Sequence, residues 1–146
     1  MNIIFDVDGT LMNVDHRRHF VSDGNNDWES FLNPRIMAKD TPNYPIVEIA
    51  RHLQDVQNEI VVVSARNERH RTVTKNQLAG VGMHPEQLFL RPDGDFRSDK
   101  EFKQDVLNSL KENGWEPHLV FDDRNQVVEM WRANGITCVQ VADGDF

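Results

Sequence analysis

Cysteine is almost absent from this chain, which has only Cys138 among its 146 residues. A lone thiol excludes an intramolecular disulfide and a zinc site built from several thiolates. The sequence also lacks an apolar run approaching the ~18 residues of a membrane span. At its N-terminus no basic segment precedes an apolar one. We therefore expect a cytoplasmic protein that is not associated with a membrane.

Positive charge is also scarce. The chain has 16 lysines and arginines against 24 acidic residues, which gives a formal net charge of −8. Proteins that track long nucleic acids usually have a basic face, so we expect no extended nucleic-acid groove. A small phosphorylated ligand or the end of a nucleic-acid strand remains possible, because local arginines and a metal ion can supply a positive field.

Predicted strands and helices alternate along the chain, which is typical of a parallel sheet covered by helices. About five strands are predicted, at residues 3–5, 60–63, 87–90, 118–121 and 136–141. Ser98 and Glu101 form a capping box that starts the helix before the fourth strand. We predict one domain, residues 1–146, with a doubly wound, Rossmann-like α/β fold.

A long connection, residues 12–44, separates the first strand from the first long helix. Ordinary connections have ~4–6 residues. Within it, Asp27 is the predicted N-cap of a short helix that Pro34 ends, and residues 40–43 are rich in turn formers. Such a segment beside a functional strand end is often a lid. We predict a small cap or lid insert; a packing element without a catalytic role is the alternative.

Two carboxylates follow the first predicted strand directly. Asp6 and Asp8 lie one residue apart and precede Gly9. In parallel sheets, ligands bind at the carboxyl ends of the strands. Two acids there repel each other unless a cation lies between them, and a simple polar turn is the alternative. A calcium EF-hand loop is excluded, because its glycine belongs at the sixth position rather than the fourth.

Polar groups also follow two later strands. Ser64 and Arg66 come after the strand at 60–63, and Asp122 and Asp123 come after the strand at 118–121. Three unrelated polar turns would be a poor explanation for polar residues at three strand ends. Acids, a hydroxyl and a guanidinium group at neighbouring strand ends predict a metal-assisted phosphoryl-transfer site.

Four motifs carry a resemblance to a known family. They are Asp6-Val7-Asp8-Gly9-Thr10, Ser64, Lys103 on the helix before the fourth strand, and Asp122-Asp123. In this order they resemble the motifs of the haloacid-dehalogenase (HAD) superfamily of phosphohydrolases, whose fold is the α/β fold predicted above. The final third of the chain, up to Gly144-Asp145-Phe146, also resembles the 3′-phosphatase domain of phage polynucleotide kinase-phosphatase.

That phage enzyme also has a kinase with a G-x-x-x-x-G-K-S/T loop. This sequence contains no such loop, so we expect no kinase domain in this chain. If the gene is carried by a phage, the expected location is the host cytoplasm.

The resemblance implies a catalytic role for each motif. Asp6 is the nucleophile that forms a phosphoaspartate. Asp8 protonates the leaving alkoxide and later activates water; this requires a raised pKa, which we expect neighbouring acids to provide. Ser64 donates a hydrogen bond to the phosphoryl group, and a helix N-cap is its other possible role. Lys103 holds the phosphoryl charge, with Lys100 on the same helix face as the alternative.

The implied cofactor is Mg²⁺, which prefers oxygen ligands. Its expected ligands are the carboxylate of Asp6, the main-chain carbonyl of Asp8 and one acid of the last pair. We expect Asp123 to bind directly and Asp122 through water; the reverse order is the alternative.

Substrate binding is assigned to Arg17, Arg66 and Thr10. A forked guanidinium suits phosphate, although both arginines could instead be solvated on the surface. Asp99 is a candidate for orienting Lys103, and a helix cap is its alternative role.

Together these features predict a Mg²⁺-dependent phosphoric monoester hydrolase. The expected substrate is a terminal phosphate, in particular a 3′-phosphate, on a nucleic-acid end or a nucleotide. A nucleotidase or small-metabolite phosphatase is the first alternative. A catalytically inactive HAD-like binding module is the remote one.

Overall fold

The structure, a computed structural model, describes residues 1–145; Phe146, part of the terminal segment named above, lies outside the described residues. Seven strands are present in this part of the chain: β1 (Asn2–Phe5), β2 (Met12–Asn13), β3 (Thr41–Pro42), β4 (Glu59–Asn67), β5 (Gln87–Arg91), β6 (Leu119–Asp122) and β7 (Thr137–Gln140). Five of them form one parallel sheet in the order β5-β4-β1-β6-β7. The predicted parallel α/β fold is confirmed.

Helices cover both faces of this sheet. They are α1 (Asp15–Arg18), α2 (Trp28–Phe31), α3 (Pro34–Met37), α4 (Tyr44–Asp55), α5 (Arg71–Gly80), α6 (Asp99–Glu112) and α7 (Asn125–Ala133). Successive side chains of a strand point to opposite faces of its sheet. Ile4 accordingly packs in the core cluster beneath α6 and α7. Ile3 and Phe5 pack in the cluster beneath α4 and α5. None of the helices within residues 1–145 is long and apolar enough to cross a membrane.

The order of the strands determines where a ligand can bind. From β1 the chain continues to β4 and β5 on one side, and then to β6 and β7 on the other. The crevice where this order reverses, at the carboxyl ends of the strands, is the usual ligand site of such sheets. The ends of β1, β4 and β6 therefore meet at one place.

Strand β4 is longer than the sequence predicted. It runs to Asn67, so Ser64 and Arg66 belong to the strand, and the pairing with β5 shifts between Ser64 and Asn67. A single turn of 3₁₀ helix follows, and His70 is the N-cap of α5. The alternative role of Ser64 as a helix N-cap is therefore wrong, because no helix begins there.

The predicted insert, residues 12–44, contains three short helices and a ribbon. Asp27 caps α2 as predicted, accepting a hydrogen bond from the Ser30 amide at 3.0 Å. Pro34 opens α3 instead of only ending α2, because the first turn of a helix tolerates the missing amide. The predicted turn at 40–43 includes β3, which pairs antiparallel with β2. The role of this segment as a lid stays a prediction.

Candidate active site

Two acids and a lysine form a buried ion-pair cluster at the ends of β1 and β6. Lys103 Nζ donates to Asp6 Oδ1 at 2.9 Å and to Asp122 Oδ2 at 2.7 Å, and all three side chains are buried. Lys103 reaches the cluster from α6, whose start is fixed by the predicted capping box of Ser98 and Glu101. Lys100, the alternative lysine, is exposed.

The charges in this cluster depend on one another. Burial raises the pKa of Asp6 well above its ordinary value; Lys103 opposes the shift, whereas Asp122 and Asp123 add to it. Burial alone would lower the pKa of Lys103, but Asp122 and Asp6 outweigh it and raise that pKa. Lys103 is therefore charged at neutral pH and offsets acids that would otherwise repel each other.

The two acids of the last pair have different surroundings. Asp122 Oδ1 accepts from the amide of Asp123 at 2.9 Å, and Oδ2 accepts from Lys103 and from Trp131 Nε1 at 3.2 Å. In contrast, Asp123 Oδ2 is buried and accepts no hydrogen bond from the described residues. Burial and then the charge of Asp122 raise the pKa of Asp123 to about 6, although Lys103 opposes the shift.

These acids fit a hard metal ion. Asp6, Asp122 and Asp123 each offer an oxygen, and the three oxygens lie within 4.8 Å of one another. One of these oxygens, Asp123 Oδ2, accepts no hydrogen bond from residues 1–145, and the guanidinium of Arg18 lies 3.8 Å from it. Buried carboxylates concentrated in this way match the all-oxygen coordination of Mg²⁺. The chemistry of the residues is thus compatible with the predicted ion.

The glycine of the first motif has a steric role. Gly9 has φ +80°, and a Cβ on it would lie 2.1 Å from Asp123 Oδ2. A second close approach occurs at Gly144, where a Cβ would lie 2.0 Å from the carbonyl oxygen of Asp123. Gly144 also accepts from the Asn125 amide at 2.9 Å. The backbone thus packs tightly around Asp123 on two sides.

Arginines, not acids, surround the second carboxylate of the first motif. Asp8 Oδ1 accepts from Arg17 Nη2 at 2.7 Å and from Arg66 Nη2 at 2.6 Å. Burial alone would raise the pKa of Asp8, but the two guanidinium groups outweigh it and lower this pKa to about 2. The expectation that neighbouring acids raise this pKa is wrong, because it is the arginines that bond to Asp8.

Asp40 connects these groups and was missed by the sequence analysis. Its buried carboxylate accepts from Arg17 Nε at 2.7 Å and from Arg66 Nη2 at 2.9 Å, and it pairs with His16 Nε2 at 2.8 Å. Both arginines are buried, so their alternative placement as solvated surface residues is wrong. One signal in the sequence could have identified Asp40. A buried Arg17 requires an acidic partner, and Asp40 is the acid just before strand β3 of the ribbon.

Two further predicted residues have unexpected partners. Asp99 does not orient Lys103; its carboxylate instead accepts from Arg91 Nη2 and Arg124 Nη1, each at 2.5 Å. The cap of α6 is Ser98, so the cap alternative for Asp99 is also wrong. Thr10 is buried and donates to Asp6 Oδ2 at 3.3 Å. Direct contact of Thr10 with a substrate stays a prediction.

A cleft of about 800 Å³ opens above the acids. Its floor includes Asp6, Asp8, Ser64, Lys103, Asp122 and Asp123. One wall comes from the insert, and another from the loop between β5 and α6. Ligand pockets commonly have volumes of ~300–1,000 Å³, so the cleft can hold a molecule much larger than a phosphate ion.

Comparisons with known proteins identify the family of this chain. The family model of the polynucleotide kinase PNKP phosphatase domain matches residues 1–146. A chain of the Pnkp1/Rnl/Hen1 RNA repair complex is similar with a TM-score of 0.83 and 27% identity, over 99% of this chain and 43% of that one. A second structure of the Pnkp1/Rnl/Hen1 complex gives a TM-score of 0.80 and 27% identity, over 99% and 47%. This chain therefore spans less than half the length of both.

A more distant similarity supports the fold alone. The haloacid dehalogenase-like hydrolase SP0104 from Streptococcus pneumoniae is 11% identical, with a TM-score of 0.66 over 95% of this chain and 83% of that one.

Proposed function

Because this chain belongs to the family of the polynucleotide kinase PNKP phosphatase domain, a group of HAD phosphatases, we propose that it removes a terminal 3′-phosphate from nucleic-acid ends or nucleotides. The observation that carries this proposal is the buried cluster of Asp6, Lys103, Asp122 and Asp123 at the floor of the cleft. The similarity to a component of an RNA repair complex favours a polynucleotide end over a sugar phosphate.

In the proposed reaction Asp6 attacks the phosphorus atom and forms a phosphoaspartate, which water then hydrolyses. Lys103 already donates to Asp6 Oδ1 and fixes the orientation of this carboxylate. Ser64 lines the cleft and supplies a hydroxyl donor to the phosphoryl oxygens. Mg²⁺, held by Asp6, Asp123 and the Asp8 carbonyl, with Asp122 acting through water, would neutralise charge on the phosphoryl group. Within the last acid pair we assign the direct contact to Asp123, because Asp122 accepts hydrogen bonds from Lys103, Trp131 and the Asp123 amide, whereas Asp123 Oδ2 accepts none from residues 1–145.

Asp8 serves as the proton donor to the leaving alkoxide. Its two arginines hold Oδ1 at a fixed position next to the first strand end. They also keep the carboxylate ionised before substrate enters. A phosphoryl group beside Asp8 adds negative charge and competes for Arg66, and both effects favour the protonated form that the acid step needs.

Phosphate release from a panel of compounds tests the proposal. The panel contains 3′-phosphorylated oligonucleotides, 3′- and 5′-nucleotides and sugar phosphates, each with Mg²⁺ and with EDTA. We expect the highest kcat/KM on the 3′-phosphorylated nucleic acids and no turnover in EDTA. A preference for 5′-nucleotides or sugar phosphates would favour the metabolite phosphatase instead. No release from any compound would support the inactive binding module.

Metal binding can be tested at the last acid pair. We expect Asp123→Ala to raise the Mg²⁺ concentration for half-maximal activity by at least ~100-fold, since it removes a direct ligand. We expect Asp122→Ala to raise it less, about 10-fold, as is typical of an outer-shell partner. The Mg²⁺-induced rise in melting temperature provides a readout that is independent of turnover, and Asp123→Ala should abolish it. A full thermal shift in Asp123→Ala would contradict this ligand assignment.

A further inference from the structure

We propose that Trp28 and Phe96 form a nucleobase-binding subsite that stacks on the bases next to the terminal phosphate. This inference rests on the proposed function and specifies how the cleft recognises a nucleic-acid end. Neither residue belongs to the four catalytic motifs. The subsite is composed of one aromatic side chain from the insert and one from the loop between β5 and α6.

Both aromatic side chains are exposed to solvent at the cleft. Trp28 is 42% exposed and Phe96 is 95% exposed, and both line the cleft above the acids. Large apolar side chains left in water at a binding cleft mark a surface that a ligand covers. Flat aromatic rings stack with any base, because every base presents a π-face.

Packing fixes Trp28 relative to the catalytic groups. Its ring meets that of Phe31 edge-on, with the centroids 5.6 Å apart. The guanidinium of Arg17 lies 4.4 Å above the Phe31 ring, and Arg17 also donates to the Phe31 carbonyl at 3.0 Å. The same guanidinium donates to Asp8. A base stacked on Trp28 is therefore held at a defined place relative to the proposed acid.

Phe96 is presented by a loop that ion pairs attach to α6. Asp95 accepts from Arg97 Nη2 at 2.9 Å, and Arg97 Nη1 donates to Asp105 on α6. Arg91 donates to Asp99, in the first turn of the same helix. Lys103 also belongs to α6, so the same helix positions both the loop that carries Phe96 and the lysine proposed to bind phosphate.

A positive charge that lines the same cleft as the two aromatic residues favours a nucleic acid as the occupant. Arg69 is exposed and lines the same cleft together with Asn67. Within residues 1–145 its guanidinium has no carboxylate partner; its side-chain contact is with His70 Nε2 at 3.3 Å. A purely apolar ligand would form no ion pair with Arg69, whereas an internucleotide phosphate would. Each part of a nucleic-acid end thus has a counterpart in the cleft. The terminal phosphate matches the cations of the proposed active site, an internucleotide phosphate matches Arg69, and the bases match the two aromatic rings.

The test compares the wild type, Trp28→Ala, Phe96→Ala and a control, Tyr44→Ala. Tyr44 is 66% exposed and lies at the start of α4, apart from the cleft-lining residues described above. The two substrates are a 3′-phosphorylated dinucleotide and the same molecule with an abasic 3′-residue. The measured quantity is the ratio of kcat/KM for the intact substrate to that for the abasic one.

We expect the variant that loses the ring stacked on the 3′-base to lower this ratio about tenfold, which is the size of one base stacking on an aromatic ring. Trp28→Phe should keep most of the wild-type ratio because it keeps a ring, and Tyr44→Ala should keep all of it. Ratios equal to that of the wild type in both cleft variants would overturn the subsite. If the wild type turns over neither substrate but hydrolyses sugar phosphates, the proposed function itself fails.

Binding without turnover provides a second measurement. The dinucleotide should quench the tryptophan fluorescence of the Asp6→Asn protein, and the abasic molecule should quench it much less. The same pair of titrations in Asp6→Asn/Trp28→Phe should show no difference between the ligands. An unchanged difference in the double variant would contradict stacking on Trp28 even if Trp28→Ala fails to fold.

Discussion

Asp6→Asn is expected to lower phosphate release by at least ~10⁴-fold, the scale of losing a catalytic nucleophile, without destabilising the protein. A carboxamide cannot form the phosphoaspartate, yet it has the shape of the carboxylate and can still accept from Lys103. Burial raises the pKa of Asp6, so the ionised carboxylate is disfavoured where it lies. The amide removes this cost. We therefore expect a melting temperature in EDTA equal to or above that of the wild type.

Two measurements on the same preparation test this expectation. Phosphate release is followed with the substrate preferred in the panel, and thermal unfolding is followed in EDTA. Asp55→Asn is the matched control, because Asp55 is exposed at the end of α4. Turnover by Asp6→Asn close to that of the wild type would rule out the covalent mechanism. A large drop in melting temperature would show that the carboxylate is needed for folding.

Lys103→Met is expected to impair both activity and stability. It leaves Asp6 and Asp122 buried without the ammonium that now bonds to both. Removing one partner of a buried ion pair typically costs ~3–5 kcal/mol. For a chain of this size that corresponds to a fall in melting temperature of roughly 10 °C. Mg²⁺ should restore part of the loss, since a cation held by the same acids replaces some of the missing charge.

The neighbouring lysine provides a matched control. Lys100 lies three residues earlier in α6, and its side chain is exposed. Lys100→Met should melt within ~1–2 °C of the wild type, because surface substitutions usually change stability little. Equal melting temperatures for the two variants would mean that the buried ion pairs make no net contribution to stability.

The sequence was sufficient to locate the ends of the first and fourth predicted strands, but it placed the end of the second one too early. Ile3–Phe5 and Val120–Phe121 are short apolar runs that end in acids, and such runs form the buried strands of parallel sheets. Because parallel strands end at the same edge, Asp6 and Asp122 had to lie close together. The spacing of three residues predicts that Lys100 and Lys103 share a helix face, so only the family resemblance favoured Lys103. In the structure Lys103 is buried and Lys100 is exposed.

The partners of the arginines could not be read from the sequence. Asp40 lies 23 residues after Arg17 and reaches it through the ribbon of β2 and β3. Those strands have two residues each, and α1 to α3 have four each. Segments this short contain too few residues to show the hydrophobic periodicity that distinguishes a strand from a helix. The direction of the pKa shift of Asp8 depended on these unseen contacts, which is why the prediction from acids alone had the wrong sign.

The bonds around Asp40 have a consequence for any motion of the insert. A long ion pair of 3.8 Å joins Arg18 of the insert to Asp123. Two shorter ion pairs also cross from the insert to the sheet, Arg17 to Asp8 at 2.7 Å and Asp40 to Arg66 at 2.9 Å. If the insert swings away from the sheet, both must break in the same event, because Arg17 and Asp40 are themselves bonded at 2.6 Å. Opening is then all-or-none, and it releases Asp8 from Arg17. An open molecule would hold Asp8 through Arg66 alone, so the position of the insert and the hold on the proposed proton donor are coupled.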